Sequence, residues 1–197
     1  MIAGLILAAG ESRRMGRDKA LLTYHGRSFL QTIIDNLSAA GIEKVTVVLG
    51  HHAEIIQREV NLAAVRAVLN PNYERGQTSS LQVGLAAAAA DLPEAVILCL
   101  VDHPAISPGV IANLKGHFES TRPQLLIPTY NGERGHPVVI SRDLFPELLA
   151  LSPEDPANRI IRKYRAKTQF VEVADPSILI DVDDPAAYER LVEGNQR

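Results

Sequence analysis

The chain has 197 residues, 46% hydrophobic and 22% charged, which is an ordinary globular mixture and enough for one domain with a sizeable core over 1–197. A net charge of −3 with no basic tail or stripe argues against nucleic-acid binding, and the one cysteine, Cys99, excludes a disulfide framework and a cysteine-rich metal centre. No apolar run approaches the ~20 residues of a membrane span and no leader pattern is visible, so a cytoplasmic protein with no membrane partner is expected.

The predicted elements alternate along the chain. Strand-like runs fall near 3–8, 44–49, 65–69, 95–101, 124–128, 137–140, 168–173 and 178–182, and several are continuously apolar, as in a sheet covered on both faces. Phe29, Ile33, Ile34 and Leu37 sit at helical spacing, with Gly41 just past the end. Ser79, Leu81, Val83 and Leu85 lead into the alanine run 86–90, a strong helix former. Ser107-Pro108 and Asp184-Pro185 each read as an N-cap followed by proline at the first helical position. The turn-rich segment 130–136 reads as a hairpin near the bound substrate. Strands alternating with helices predict an α/β fold with a doubly wound, mainly parallel sheet.

The first strand runs into Ala8, Ala9 and Gly10, then into Ser12, Arg13, Arg14, Gly16, Arg17 and Lys19. Small residues let backbone N–H groups approach a ligand, and the cations neutralise phosphate charge. The carboxyl end of a first strand is where open α/β sheets bind nucleotides. The run 96–101 ends in Asp102-His103-Pro104, which sets a carboxylate at the same sheet edge. Strand alternation puts Asp181 and Asp183 on one face, with Asp184 better explained as a helix cap. Gly76-Gln77-Thr78-Ser79-Ser80 opens a helix with hydroxyls and free N–H groups that suit a base, ribose or phosphate, although helix capping alone would use the serines. Read without further context, His136 in Arg134-Gly135-His136-Pro137 is a turn residue, and His51 and His52 are loop residues near the same edge. Cys99 sits among apolar neighbours and reads as an inert core thiol.

Residues 7–19 match every fixed position of LAAGxSxRMGxxK, and the chain thereby resembles the molybdenum-cofactor nucleotidyltransferases, the MobA-like NTP transferases. The resemblance implies a Rossmann-like nucleotidyltransferase fold, Mg²⁺ as cofactor, and a nucleoside triphosphate and a small phosphorylated acceptor as substrates. It implies Lys19, with Arg14, as the triphosphate clamp and Asp102 as a metal ligand, joined late in the chain by Asp181 or Asp183. Leu7, Ala8, Ala9, Gly10, Ser12 and Arg13, with Gly76, Thr78, Ser79 and Ser80, are the expected nucleotide contacts. His103 and His136 are the expected acceptor contacts, the latter through a GHP element like the family's. LAAG rather than LAGG leans the chain toward the cytidylyltransferase branch, with CTP and a molybdopterin acceptor as the leading pair and a molybdoenzyme or its chaperone as a further partner. Where the family commonly has a GDxGAR-like segment, residues 153–159 lack both glycines, which weakens transfer of acceptor specificity. A sugar-phosphate or methylerythritol-phosphate cytidylyltransferase remains the alternative, the latter disfavoured because no proline precedes Lys19. A non-catalytic cofactor-loading module is the alternative from a different class.

Overall fold

Strand β1 (Ile2–Ala8) shows how the sheet is built, since every one of its residues is buried. Ile2, Ile6 and Ala8 enter one apolar cluster while Ala3, Leu5 and Leu7 enter another, so the pleat sends alternate side chains into cores on opposite faces. The computed structural model describes residues 1–194. The further strands are β2 (Thr23–Tyr24), β3 (Arg27–Ser28), β4 (Val45–Leu49), β5 (Arg66–Leu69), β6 (Ala95–Leu100), β7 (Leu125–Tyr130), β8 (Glu133–Arg134), β9 (Val138–Ser141) and β10 (Thr168–Glu172). The helices are α1 (Phe29–Ala39), α2 (Ala53–Glu59), α3 (Gln77–Ala88), α4 (Pro108–Thr121), α5 (Phe145–Leu149), α6 (Asn158–Lys163) and α7 (Pro185–Glu193).

The main sheet runs β10-β7-β9-β6-β1-β4-β5, with β8 paired to β7. The pairs β1–β4, β1–β6, β4–β5 and β7–β10 are parallel, whereas β9 is antiparallel to both β6 and β7. Leu7 lies opposite both Val48 and Leu100, so the carboxyl ends of β1, β4 and β6 line up at one edge. Helices α1 and α4 cover one face with Leu30, Ile33, Leu37, Ile111 and Leu114. Helices α3 and α5 cover the other with Leu81, Leu85, Phe145 and Leu148. Gly84 lets α3 lie against the sheet, because a Cβ there would meet Leu5 Cδ1 at 2.4 Å and Val48 Cγ2 at 2.8 Å. No helix of the described residues is long and apolar enough to cross a membrane.

Seven of the eight expected strands form. Ser107 and Asp184 cap their helices by accepting from Val110 N and Ala187 N, and the 130–136 segment is the β7–β8 hairpin, turning through Asn131 and Gly132 at positive φ. Helix α3 begins two residues before Ser79, and its N-cap is Gly76 rather than a serine.

The expected strand at 178–182 is absent. Asp175 accepts from Ser177 N and starts a single 3₁₀ turn over Pro176–Leu179, after which the chain runs on without a strand partner. The apolar pattern there serves a different purpose: Ile178 and Val182 are plugs, each fully buried. Backbone contacts hold the segment, from His136 N to Ile178 O (3.0 Å) and from Val182 N to Asp102 O (2.9 Å). Gly135 permits the first, since a Cβ there would lie 2.3 Å from Ile178 O.

Candidate active site

The loop after β1 turns at Ser12, whose φ is +54°, and at Gly16. Met15 N and Gly16 N donate to Ser12 O, and Lys19 N donates to Ser12 Oγ at 3.1 Å. Ser12 therefore closes the loop and fixes where Lys19 leaves it. The Lys19 side chain, 11% exposed, reaches Asp102 Oδ2 at 3.2 Å and Asp183 Oδ1 at 2.6 Å. Arg14 donates to Asp183 Oδ2 at 2.9 Å. Two cations from the first loop thus meet one carboxylate from the end of β6 and one from the segment before α7. The Lys19 hydrogen bond, helped by Arg14 and opposed by burial, holds the Asp183 carboxyl below the usual carboxylate range.

These residues line a cleft of about 380 Å³ at the carboxyl edge of the sheet. Leu7, Ala9, Gly10, Ser12, Arg13, Gly76 and Ser80, all expected nucleotide contacts, line it as well. Tyr73 and Gln77 complete the wall. Tyr73 was not legible in the sequence: it sits in a 3₁₀ turn, Tyr73–Arg75, that no periodicity marks. His51 does not line the cleft but contacts it indirectly, its Nδ1 lying 3.2 Å from Tyr73 Oη, while His52 Nδ1 lies 2.7 Å from Asp18 Oδ2.

Several expected contacts are placed elsewhere. Ala8 points into the core. Thr78 donates to Asp155 O at 2.6 Å and lines the second cavity rather than this cleft, and Ser79 Oγ is taken up by Asn70, Asn72 and Gly76. Asp181 is exposed and outside the cleft, because without a strand the alternation that paired it with Asp183 no longer holds. His103 is buried behind Asp102, its Nε2 3.8 Å from Asp102 Oδ1, and does not line the cleft. Its ring lies 4.7 Å from that of His136. Burial lowers the pKa of His103, and burial with the neighbouring His103 lowers that of His136 to about 4, so His136 is neutral near pH 7. Cys99 is buried, which pushes its thiol up to about 12.

The donor set fits a hard divalent cation. Asp102 Oδ1 is buried without a hydrogen-bond partner, and Asp183 presents a second carboxylate in the same cleft. No cluster of three or more His, Cys, Asp or Glu able to hold a metal occurs among the described residues. Two carboxylates completed by substrate oxygens and water is the arrangement that Mg²⁺-type ions use at phosphates.

A second cavity, about 420 Å³, shares Leu7, Gly76, Gln77 and Leu100 with the first. Its walls are mostly apolar (Leu81, Leu98, Val138, Ile140, Ile160), with His136 at one side. The arrangement is a charged cleft opening onto an apolar chamber.

A loop of small and basic residues after a first strand, facing a strand-end aspartate across the carboxyl edge of the sheet, is the architecture of a Rossmann-like nucleotidyltransferase fold. Residues 4–168 match the MobA-like NTP transferase domain, and the chain belongs to that nucleotidyltransferase family. It is 30% identical over 198 residues to nicotine blue oxidoreductase of Paenarthrobacter nicotinovorans, covering 97% of this chain and 96% of that one. It is 26% identical over 194 residues to the molybdenum cofactor cytidylyltransferase of Escherichia coli K12, covering 96% of each. The crystal structure of Rv0371c from Mycobacterium tuberculosis H37Rv superposes with a TM-score of 0.87 at 28% identity, over 98% of this chain and 97% of that one. A manganese complex of Rv0371c superposes at 0.81, with 26% identity and 98% of each chain covered.

Proposed function

We propose that the protein transfers CMP from CTP to the phosphate of a small acceptor of the molybdopterin type, releasing pyrophosphate, with Mg²⁺ as cofactor. The observation that carries the reading is Lys19 held between Asp102 and Asp183 on the wall of the first cleft. The full-length likeness to a molybdenum cofactor cytidylyltransferase supports the choice of CTP and acceptor. A cytoplasmic setting, and delivery of product to a molybdoenzyme or its chaperone, belong to the same reading.

An oxygen of the acceptor phosphate attacks the α-phosphorus of CTP, forming one P–O bond, while the bond to the β-phosphate oxygen breaks and pyrophosphate departs. The attacking oxygen is already ionised near neutral pH, so no general base is required. The barrier lies in bringing two polyanions together and in the charge that builds on the leaving group. Lys19 places a compact positive charge beside the triphosphate, and Arg14 offers a fork of donors to phosphate oxygens. Backbone groups at Ala9 and Gly10 approach the base or phosphates closely. Asp102 and Asp183 would hold the Mg²⁺, which when bound neutralises phosphate charge. The apolar chamber keeps the body of the acceptor out of water, with neutral His136 offering it a hydrogen bond.

Thermal-shift measurements with ATP, CTP, GTP and UTP, with Mg²⁺ present, test the nucleotide, since a selective ligand raises apparent stability. Pyrophosphate release from CTP with a molybdopterin acceptor tests the reaction. Oxidation of a reduced nicotinamide nucleotide in place of pyrophosphate release would overturn the reading and align the chain with its relative named as an oxidoreductase.

A further inference from the structure

A third groove of about 580 Å³ continues from the apolar chamber, and His136, Val138, Asn158 and Ile161 line both. Three arginines line the groove: Arg134 from β8, Arg162 from α6 and Arg165 just beyond it. No acidic residue lines it, although the chain as a whole is acidic. The cations around it are matched differently. Arg159 pairs with Asp155, Arg75 with Glu154 and Lys163 with Glu147. Arg134, Arg162 and Arg165 form no ion pair among the described residues, and Arg134 lies over the Phe170 ring, 5.6 Å from its centroid. Elements distant in sequence therefore bring three uncompensated guanidiniums to one concave wall, at the end of the chamber away from the Lys19 cleft.

Arginine forks suit planar or tetrahedral oxyanions, and three of them along one concave wall with no carboxylate among them offer such an anion a site. A flat acidic protein surface would not need the groove to open into the chamber. Continuity through His136 favours a single small molecule that spans both spaces. We propose that the Arg134–Arg162–Arg165 groove binds a second, non-reacting anionic group, a phosphate ester or a carboxylate, at the far end of the acceptor. The assignment of the molecule as acceptor rests on the nucleotidyltransferase reading, whereas the anion site itself does not.

The test titrates inorganic phosphate, succinate and a hexaglutamate peptide separately into the full chain, with and without saturating CTP, following the arginine Nε–H resonances by NMR. Phosphate or succinate should shift the Nε–H signals of Arg134, Arg162 and Arg165 together, with CTP bound, and the tighter of the two identifies a phosphate or a carboxylate tail. R162Q/R165Q should weaken that binding about tenfold or more, charge-assisted bonds being the strong ones, while CTP stabilises the variant as it does the wild type. Both substitutions are on exposed side chains, so the fold is retained. Small anions that leave the three resonances unmoved, or that bind R162Q/R165Q as well as the wild type, would overturn the proposal. Binding of hexaglutamate alone would also overturn it, in favour of an acidic polypeptide. Failure of every nucleoside triphosphate to bind would sink the nucleotidyltransferase reading, and failure of CTP alone the cytidine preference, while the titration without CTP still decides the groove.

Discussion

Lys19→Ala should separate what this lysine does for the fold from what it does for the reaction. Its ammonium is the shared partner of Asp102 and Asp183, at 3.2 and 2.6 Å. Unit charges ~3 Å apart attract by ~5 kcal/mol at an effective dielectric of ~20, before desolvation is charged against them. Breaking a fully buried pair costs 3–5 kcal/mol as a rule, but here the carboxylates are 24% and 31% exposed, so about 2 kcal/mol is expected. For a domain of this size that is a Tm loss of about 6 °C. The pH dependence has a definite sign. Asp183 has its carboxyl lowered in the folded state, chiefly by the Lys19 hydrogen bond, so the stabilisation is complete above the unfolded carboxylate pKa and is lost as pH falls through the folded one. The gap between wild type and variant should therefore be widest above about pH 5 and close in more acid solution. Urea unfolding at pH 7 and near pH 3.5 measures both ends. Turnover should drop about a hundredfold, the usual cost of removing one preorganised donor from a transition state. Pyrophosphate release near the wild-type rate at saturating CTP would refute the clamp, and equal stability at pH 7 would refute the ion-pair account.

Three further outcomes follow from the geometry. Asp102→Asn and Asp183→Asn should each abolish most activity, with extra Mg²⁺ restoring it only partly, while Asp181→Asn stays near wild type; a kinetic comparison of the three decides which late aspartate serves the metal. CTP should raise the Tm more than GTP at equal concentration, because a pocket built for one base edge leaves buried groups unpaired with another; equal or greater stabilisation by GTP would remove the cytidine preference and leave nucleotidyl transfer standing. Buried His136, with its pKa lowered to about 4, binds fewer protons folded than unfolded, so stability should fall as pH drops from about 6.5 toward 4. His136→Gln should flatten that part of the curve, and an unchanged slope in urea titrations would count against a buried neutral imidazole.

Local signals made much of the fold legible. The apolar runs of β1, β4 and β6 are continuous because both faces are covered, and Ser107 and Asp184 announce α4 and α7 through cap chemistry that depends on neighbours only. Lys19 and Arg14 were singled out by the motif resemblance, and Asp102 by that resemblance together with its place at a strand end; the structure brings all three to one cleft. What failed depended on contacts distant in sequence. The 178–182 run has strand-like composition, but its apolar side chains plug a core and its backbone bonds go to His136 and Asp102. The partners of Thr78 and Ser79, Asp155 O and the Asn70 amide, likewise could not be read from the local sequence.

The same late segment explains how the site holds together. Ser107 Oγ donates to Asp175 Oδ2, Val182 N reaches the carbonyl of Asp102, and Asp183 then closes onto Lys19 and Arg14. One strap therefore ties the end of β6, the start of α4 and the first loop into a single unit. In that unit two cations face two carboxylates, so their charges balance before any ligand arrives. A triphosphate alone would face Asp102 and Asp183 at close range, and a divalent cation alone would face Lys19 and Arg14. Each relieves the repulsion met by the other, so nucleotide and metal should raise one another's affinity by the same factor, as linkage demands. On the proposed reading, joint occupancy of the cleft by both is then expected from its charge arrangement, with the strap setting the distance across which that balance is held.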